Sequence, residues 1–139
     1  MRAAAARLGD PVARLGATAQ IAGTNGKGTV ACLVESTARA AGLRTGLFTS
    51  PHLHRFTERV RLDGDEIEPG ELAGHLERAV ALAREPATFE LTFFEVATLA
   101  ALGAFAERGV DLAVLEVGLG GRLDATSIAR PSATAITSI

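Results

Sequence analysis

The amino-acid sequence predicts an α/β fold in which a mostly parallel sheet carries helices on both faces. Strand-like and helix-like segments alternate along the 139 residues, as they do in sheets built from strand–helix–strand units. Residues 111–117 form a nearly continuous apolar run, which is typical of a central strand buried on both faces. A glycine-rich segment with one lysine separates the first strand from the first long helix, and this order indicates a fold of the P-loop type.

The first half of the chain contains two strands and one long helix. After a helical lead-in at residues 1–18, the apolar segment Ala19–Ala22 predicts the first strand. The segment Thr29–Ala41 has no internal Gly or Pro and is predicted to be helical. Gly42 should end this helix because glycine readily adopts the left-handed backbone of a helix C-terminus. Thr45–Thr49 is the next strand.

The second half contains a hairpin, two helices and two strands. Residues 58–67 alternate between charged and apolar around Asp63-Gly64, which predicts a half-exposed hairpin with a tight turn. A helix from Glu68-Pro69 to about Arg84 places Leu72, Leu76, Val80 and Ala83 on its apolar face. After a polar gap at 85–90, Thr92 is a good N-cap for a deeply packed helix to about Arg108 that ends at Gly109. The remaining strands are predicted at 111–117 and 133–136.

Composition and charge exclude several classes of protein. The net charge is −2 with no block of like charges, so nucleic acid is not an expected partner. The alanine-rich N-terminus lacks the apolar core of a signal peptide, and no apolar run approaches the ~18 residues of a membrane span. We therefore expect a cytoplasmic protein with small-molecule partners and no membrane contact. The lone Cys32 cannot form an internal disulfide and is expected to be a buried structural thiol.

The segment Ile21–Thr29, Ile-Ala-Gly-Thr-Asn-Gly-Lys-Gly-Thr, carries the strongest chemical signal. Its three glycines allow the backbone N–H groups to turn toward an anion, and the following helix directs its N-terminal dipole to the same place. Lys27 adds a positive charge, and the Thr29 hydroxyl is placed to reach Mg²⁺. The spacing departs from the usual phosphate loop, because Ile21 and Gly28 stand where Gly and Ser/Thr are expected. The alternative is a β–α turn that binds nothing.

Glu116 interrupts the apolar run near its C-terminal end, where open α/β sheets bind their ligands. A buried carboxylate is costly unless it is paired or metal-bound, and Mg²⁺ takes one or two carboxylates or hydroxyls together with phosphate oxygens. The loop Gly118–Gly121 follows directly and permits close approach of a ligand. Glu116 is therefore a candidate metal ligand beside the phosphate loop. The alternative is an ion pair with Arg122 or another arginine.

Four blocks together resemble the bifunctional folylpolyglutamate synthase/dihydrofolate synthase family of the Mur-ligase superfamily. They are Gly23–Thr29, Thr49–Leu53 with Glu58-Arg59, Leu91–Glu95, and Leu115–Thr126. The resemblance covers about residues 20–139 and implies that residues 19–139 are an incomplete ATP-binding central domain of a Mur-ligase-like fold. It also implies an ATP-dependent ligase: ATP phosphorylates the carboxylate of dihydropteroate or a folate, and the amine of L-glutamate attacks the acyl phosphate.

The resemblance assigns a role to each matching position. Lys27 is the implied catalytic residue, and Mg²⁺ is the implied metal. For Phe94 core packing competes with substrate binding, and Asp124 is equally suited to close a turn. His52 and His54 are expected to have no ligand role. The implied ATP-binding residues are Thr24, Asn25, Gly26, Lys27, Gly28 and Thr29, the metal ligands Ser50 and Glu116, and the folate- or pteroate-binding residues Thr92, Phe94, Leu123, Asp124 and Ala125.

Several parts of the family pattern do not occur in this chain. They are a Gly-(Leu/Ile)-Asp-His segment with a further metal ligand, a lysine that is carbamylated in many members, the nucleotide-base contacts and a C-terminal glutamate-binding domain. We therefore expect the front portion of a synthetase that is monomeric at full length, and we expect this portion to be inactive in isolation. The alternatives are a truncated, non-catalytic nucleotide-binding module and a Mur-type cell-wall ligase, against which the Leu91–Glu95 and Leu123–Thr126 blocks argue.

Overall fold

The computed structural model describes residues 1–84 and 90–139, and within them it contains one six-stranded sheet in the order β4-β3-β2-β5-β1-β6. The four strands β2, β5, β1 and β6 are mutually parallel, and the hairpin β3–β4 adds to the edge in antiparallel orientation. This arrangement confirms the predicted α/β fold with a mostly parallel sheet. The strands are β1 (Ala17–Ala22), β2 (Thr45–Phe48), β3 (Val60–Leu62), β4 (Asp65–Glu66), β5 (Leu112–Glu116) and β6 (Ala133–Ile136).

Four α-helices and three short 3₁₀ helices connect and cover these strands in the described part of the chain. Two of them, α1 and the 3₁₀ helix Pro11–Arg14, precede β1, which begins two residues earlier than predicted. The α-helices are α1 (Arg2–Arg7), α2 (Lys27–Ala40), α3 (Pro69–Ala83) and α4 (Phe93–Arg108), and the other 3₁₀ helices are Phe56–Arg59 and Ala125–Ala129. None of the described helices is long and apolar enough to cross a lipid bilayer.

Helix α2 begins at Lys27 rather than at Thr29, so the first helical turn includes the lysine of the phosphate loop. At its C-terminus Gly42 adopts a φ of 87°, and the N–H of Leu43 donates to the carbonyl of Ala38 at 3.2 Å. These contacts satisfy carbonyls that the end of the helix leaves without partners. The prediction that Gly42 ends the helix is confirmed.

Helix α4 is the most deeply packed helix among the described residues. The Thr92 hydroxyl accepts a hydrogen bond from the N–H of Glu95 at 3.3 Å, and Gly109 ends the helix with a φ of 62°. Both predicted boundaries are therefore confirmed. Most of its middle turns are buried, including Leu99, Leu102 and Phe105, which fits the nearly continuous apolar sequence.

Helices cover the sheet on both faces because successive strand residues point in opposite directions. On one face, Ala31 of α2 packs against Ile21, Leu47 and Val114. On the other face, α3 and α4 enclose a larger core that includes Phe48, Phe105 and Leu115. Strand β5 thus contributes Val114 to one face and Leu115 to the other, which confirms that the run 111–117 is a central strand.

One prediction about a side chain is wrong, and one lies outside the described residues. Cys32 is exposed, because α2 turns Ala31 and Glu35 toward the sheet and leaves the next position in solvent. The predicted helix α3 is confirmed, and its fully buried residues are Leu72, His75, Ala79 and Leu82. The predicted polar gap at 85–90 lies outside the described residues except for its last position.

Candidate functional site

The glycine-rich loop leaves the buried end of β1 and enters α2 through two left-handed residues. Gly23 has a φ of 126° and Gly26 a φ of 77°, values that L-amino acids with side chains rarely adopt. Thr24 and Asn25 between them are exposed. The turn places the first N–H groups of α2, which have no partner within the helix, at the open end of the loop. This geometry suits an anion.

The loop is held from behind by residues that the sequence did not single out. The N–H of Thr24 donates to the carbonyl of Ser138 at 2.8 Å, and the hydroxyl of Thr137 donates to the carbonyl of Asn25 at 2.6 Å. A side chain at Gly23 would collide with the Thr137 hydroxyl. Thr137 and Ser138 follow β6, which pairs with β1. Only this pairing brings them to the loop, so no local sequence signal could have identified them.

Lys27 lies over the loop, but Gly28 does not belong to the turn. The Lys27 ammonium donates to the carbonyl of Thr24 at 3.2 Å, and the residue is half-buried. Gly28 has a helical backbone, so its predicted part in turning the loop is wrong. A methyl group at Gly28 would lie 3.5 Å from Oε2 of Glu116, an ordinary contact. Gly28 therefore lies beside the Glu116 carboxylate.

Glu116 and Ser50 lie together at the carboxyl edge of the sheet. Glu116 is the last residue of β5 and only 4% exposed. Its Oε2 accepts a hydrogen bond from the backbone N–H of Ser50 at 2.9 Å. Ser50 follows β2 and precedes Pro51 through a cis peptide bond. Among the described residues Glu116 makes no ion pair with Arg122 or another arginine. The structure therefore does not contain the ion pair that the sequence offered as the alternative to a metal role.

The donor set around Glu116 fits a hard divalent cation. Carboxylate and hydroxyl oxygens are the ligands that Mg²⁺ prefers, and it usually completes its shell with phosphate oxygens and water. In residues 1–84 and 90–139, no group of three or more His, Cys, Asp or Glu residues forms a dedicated metal cage. An open site with one carboxylate beside a phosphate loop, next to a residue that carries a hydroxyl, suits a nucleotide-bound metal better than a structural one.

The second glycine loop, Gly118–Gly121, is organised by Asp124. One carboxylate oxygen of Asp124 accepts the N–H groups of Gly118 and Leu119 at 3.0 and 3.1 Å. The other accepts the N–H and hydroxyl of Thr126 at 2.9 and 2.7 Å. Asp124 thus closes the turn, the alternative that the sequence had left open. Of its two neighbours, Leu123 is 92% exposed and Ala125 is buried.

Phe94 is shared between the core and this second loop. Its ring lies 5.7 Å from the ring of Phe48, measured between centroids. A methyl group at Gly118 would lie 2.7 Å from its Cζ. The neighbouring Thr92 uses its hydroxyl to cap α4, and the same hydroxyl donates to the Glu95 carboxylate at 2.9 Å. The side chains of Thr92 and Phe94 therefore have structural contacts of their own, beside the loop that follows Glu116.

A cavity of about 500 Å³ opens between the two glycine loops. One wall is the phosphate loop with Thr24 and Lys27, and the other is the loop from Val117 to Gly120. Exposed apolar side chains of Ile136 and Ile139 complete the rim. The cavity therefore combines one positive charge and open N–H groups with apolar walls, which is the composition of a small-molecule site.

The loop after Ser50 is folded around two charged residues. The Glu58 carboxylate accepts the N–H groups of Leu53, His54 and Arg55 at 2.7, 2.9 and 2.7 Å. These hydrogen bonds lower the pKa of Glu58 to about 2, and the one from Leu53 has the largest effect. Burial lowers the pKa of the Arg59 guanidinium, whose Nε donates to Nδ1 of His52 at 2.8 Å. His52 is therefore a structural partner of Arg59.

Comparison with known proteins decides between the families that share such a loop. No family model matches the chain. A relative in Halobacterium salinarum, a probable bifunctional folylpolyglutamate synthase/dihydropteroate synthase, is 48% identical over 136 residues, which are 96% of this chain and 17% of the relative. A solved bifunctional folylpolyglutamate synthase/dihydrofolate synthase with Mn, AMPPNP and L-glutamate bound is 45% identical, with a TM-score of 0.90 over 99% of this chain and 33% of that one. The chain belongs to the folylpolyglutamate synthase/dihydrofolate synthase family.

A second solved member gives the same result. Escherichia coli FolC in complex with DHPP and ADP is 43% identical, with a TM-score of 0.89 over 98% of this chain and 32% of that one. The matched region corresponds to the N-terminal part of these family members. The chain thus spans about a third of the length of its solved relatives. The predicted family and the Mur-ligase-like fold are confirmed.

Proposed function

We propose that this chain binds ATP and a pterin-containing acid for an ATP-dependent ligase that adds L-glutamate to dihydropteroate or a folate. The observation that carries the proposal is the junction of three elements at one edge of the sheet. The phosphate loop, the Glu116 carboxylate and Ser50 meet there, and α2 lies in contact range of Glu116. Solved relatives hold AMPPNP with Mn and L-glutamate, or ADP with DHPP, which supports the same set of ligands for this chain.

In this proposal the nucleotide phosphates lie against Thr24–Thr29. The unpartnered N–H groups at the start of α2 donate to phosphate oxygens, and Lys27 leaves the Thr24 carbonyl to neutralise charge on the transferred phosphoryl group. Such donors stabilise the charge that develops in the transition state without having to reorganise. Ser50 and Glu116 would hold Mg²⁺, which would offset the negative charge of the phosphate oxygens.

The pteroate carboxylate would approach from the second glycine loop. Thr92, Phe94, Leu123, Asp124 and Ala125 surround its entrance in the proposal. Because Asp124 is engaged by four donors of its own loop, its contribution is to shape the turn, and the exposed Leu123 and the edge of Phe94 supply apolar contact to a flat ring. Attack of the pteroate carboxylate on the γ-phosphorus yields an acyl phosphate and ADP, and attack of the glutamate amine then releases phosphate.

Titration calorimetry with Mg·ATP tests the nucleotide-binding part of this proposal. The wild-type chain should bind Mg·ATP, and the affinity should fall when Mg²⁺ is chelated, because Glu116 then lies close to the phosphates without a bridging cation. Glu116→Gln should weaken Mg·ATP binding and reduce its dependence on Mg²⁺. Binding that is independent of both the metal and residue 116 would contradict the proposed metal site.

A further inference from the structure

Arg59 is a buried cation without a carboxylate partner among the described residues. Only 8% of the surface of this residue is exposed to solvent. The guanidinium carbon lies 5.5 Å from the ring centroid of Phe56 and 5.6 Å from that of Phe93. Removing a charge from water is costly, and two aromatic faces with one hydrogen bond to His52 offset this cost only in part. A role beyond packing would explain why a charged arginine lies at this buried position.

The contacts of Arg59 join the two segments that carry the proposed ligands. Its carbonyl accepts the N–H of Thr49 at 2.9 Å, and its Nε donates to His52. These residues flank Ser50, whose N–H donates to Glu116. The guanidinium also lies over the ring of Phe93, the first residue of α4. Arg59 thus connects the segment 49–52 with the start of the helix that bears Phe94.

We propose that Arg59 is a positioning residue that holds the Ser50 segment and the start of α4 in one arrangement, so that metal–nucleotide and pterin sites form together. The proposal rests on the proposed function and concerns a residue that touches neither ligand. Arginine is needed at this position, because its guanidinium lies against both rings while its Nε donates to an imidazole. A lysine keeps the charge but cannot make both contacts.

Phe93 offers an independent way to break the same connection. It is 65% exposed, so Phe93→Leu removes one of the two rings that contact the guanidinium with little effect on the core. Arg61 of β3 provides a matched control, because it is an arginine two positions further along the same segment and lies outside these ring contacts. Arg59→Lys and Phe93→Leu should have similar effects that do not add in the double variant, whereas Arg61→Lys should have none.

The first measurement is amide hydrogen exchange by NMR on the ligand-free chain. Loss of these contacts should raise the exchange rate of the Ser50 N–H by at least about fivefold, while amides of β5 keep their protection. The second is calorimetry with Mn·AMPPNP, in which Arg59→Lys should weaken metal-dependent binding by a similar factor and leave metal-free binding of the nucleotide unchanged.

The two measurements separate this proposal from the proposed function. Unchanged Ser50 exchange in both Arg59→Lys and Phe93→Leu would overturn the positioning role, as would equal losses in Arg61→Lys. Wild-type chain that fails to bind Mn·AMPPNP would instead contradict the proposed function, while faster Ser50 exchange in the variants would still show that Arg59 holds the segment. A uniform rise in exchange across β5 would mean that Arg59 acts only on global stability, and this result also overturns the proposal.

Discussion

Single residues determine the electrostatics of the proposed site, and Lys27 is the most important of them. It is the only lysine of the chain, and its ammonium contacts one exposed carbonyl. Lys27→Ala should therefore leave the free energy of unfolding nearly unchanged. Hydrogen bonds to charged groups contribute about 1.5–3 kcal/mol, so Mg·ATP should bind roughly 10- to 100-fold more weakly, as measured by calorimetry.

The matched control for Lys27 is Arg14→Ala, which also removes one exposed positive charge. Arg14 lies in the 3₁₀ helix that precedes β1, at the opposite end of that strand from the phosphate loop. If nucleotide binding falls equally in both variants, net charge rather than a contact from Lys27 explains the loss. Equal affinities of wild type and Lys27→Ala would remove Lys27 from the site.

The titration of Glu58 is a second prediction at this scale. Three backbone N–H groups bind its carboxylate and lower its pKa to about 2 from an ordinary 4.5. The folded form thus prefers the charged carboxylate, so the group stabilises the loop above about pH 4.5, and this contribution disappears as the pH falls toward 2. The amide proton shifts of Leu53, His54 and Arg55 should titrate together with a midpoint near pH 2. A shared midpoint near 4.5 would show that the carboxylate does not bind them.

The packing of α3 against α4 depends on how closely the two helices approach each other. Two glycines, one in each helix, test this dependence. A methyl group at Gly103 of α4 would lie 2.8 Å from Nδ1 of the buried His75, whereas nothing lies within 4 Å of one at Gly74 of α3. Alanine favours a helix by up to about 1 kcal/mol over glycine, so Gly74→Ala should raise the free energy of unfolding. Overpacking costs about 1–3 kcal/mol, so Gly103→Ala should lower it.

Urea denaturation of both variants checks this pair, since each is a Gly→Ala change inside a helix. The opposite signs are the distinctive result, because helix propensity alone would stabilise both. If Gly103→Ala is as stable as Gly74→Ala, the contact between α4 and His75 is looser than described here, and the packing of α3 against α4 does not depend on that glycine.

Most elements could be predicted from the sequence because their signals are local. Thr92 and Gly109 mark the two ends of α4 through contacts within a few residues. Asp63-Gly64 forms the hairpin turn that its residue types indicate. Helix α2 begins two residues before the predicted start, because glycine disfavours a helix interior whereas Gly28 lies in the first turn, beside Glu116.

The site could be predicted in outline but not in its supporting contacts. Glu116 stood out as a charge in an apolar run, and the structure places it beside Ser50 as expected. The hydrogen bond from Thr137 to the phosphate loop joins residues that are far apart in sequence. The contact of Arg59 with Phe93 depends on the approach of α4. Such contacts follow from the assembled fold and have no local signature.

The whole chain corresponds to about one third of the length of its solved relatives. Ligation needs the phosphates, the metal, the pteroate carboxylate and the glutamate amine held together, and proximity supplies up to roughly 7–11 kcal/mol of such a barrier. We expect the 139-residue chain to bind Mg·ATP and to show negligible glutamate-dependent ADP release. A chimera that joins this chain to the remaining two thirds of E. coli FolC should recover release that requires both pteroate and glutamate.

The chimera has a control within this chain. Lys27→Ala in the chimera should abolish glutamate-dependent ADP release if the phosphate loop contributed by this chain is the one in use. Substantial turnover by the 139 residues alone would contradict the expectation that they lack part of the machinery. A folded chimera without any turnover would contradict the ligase assignment.

A crystal structure of the chain with Mn²⁺ and AMPPNP, in which anomalous scattering locates the metal, tests the proposed site most directly. We expect a manganese ion within bonding distance of the Glu116 carboxylate and the Ser50 hydroxyl, bridged to phosphate oxygens that lie against Thr24–Thr29. Manganese bound elsewhere, or nucleotide phosphates away from the glycine-rich loop, would contradict it.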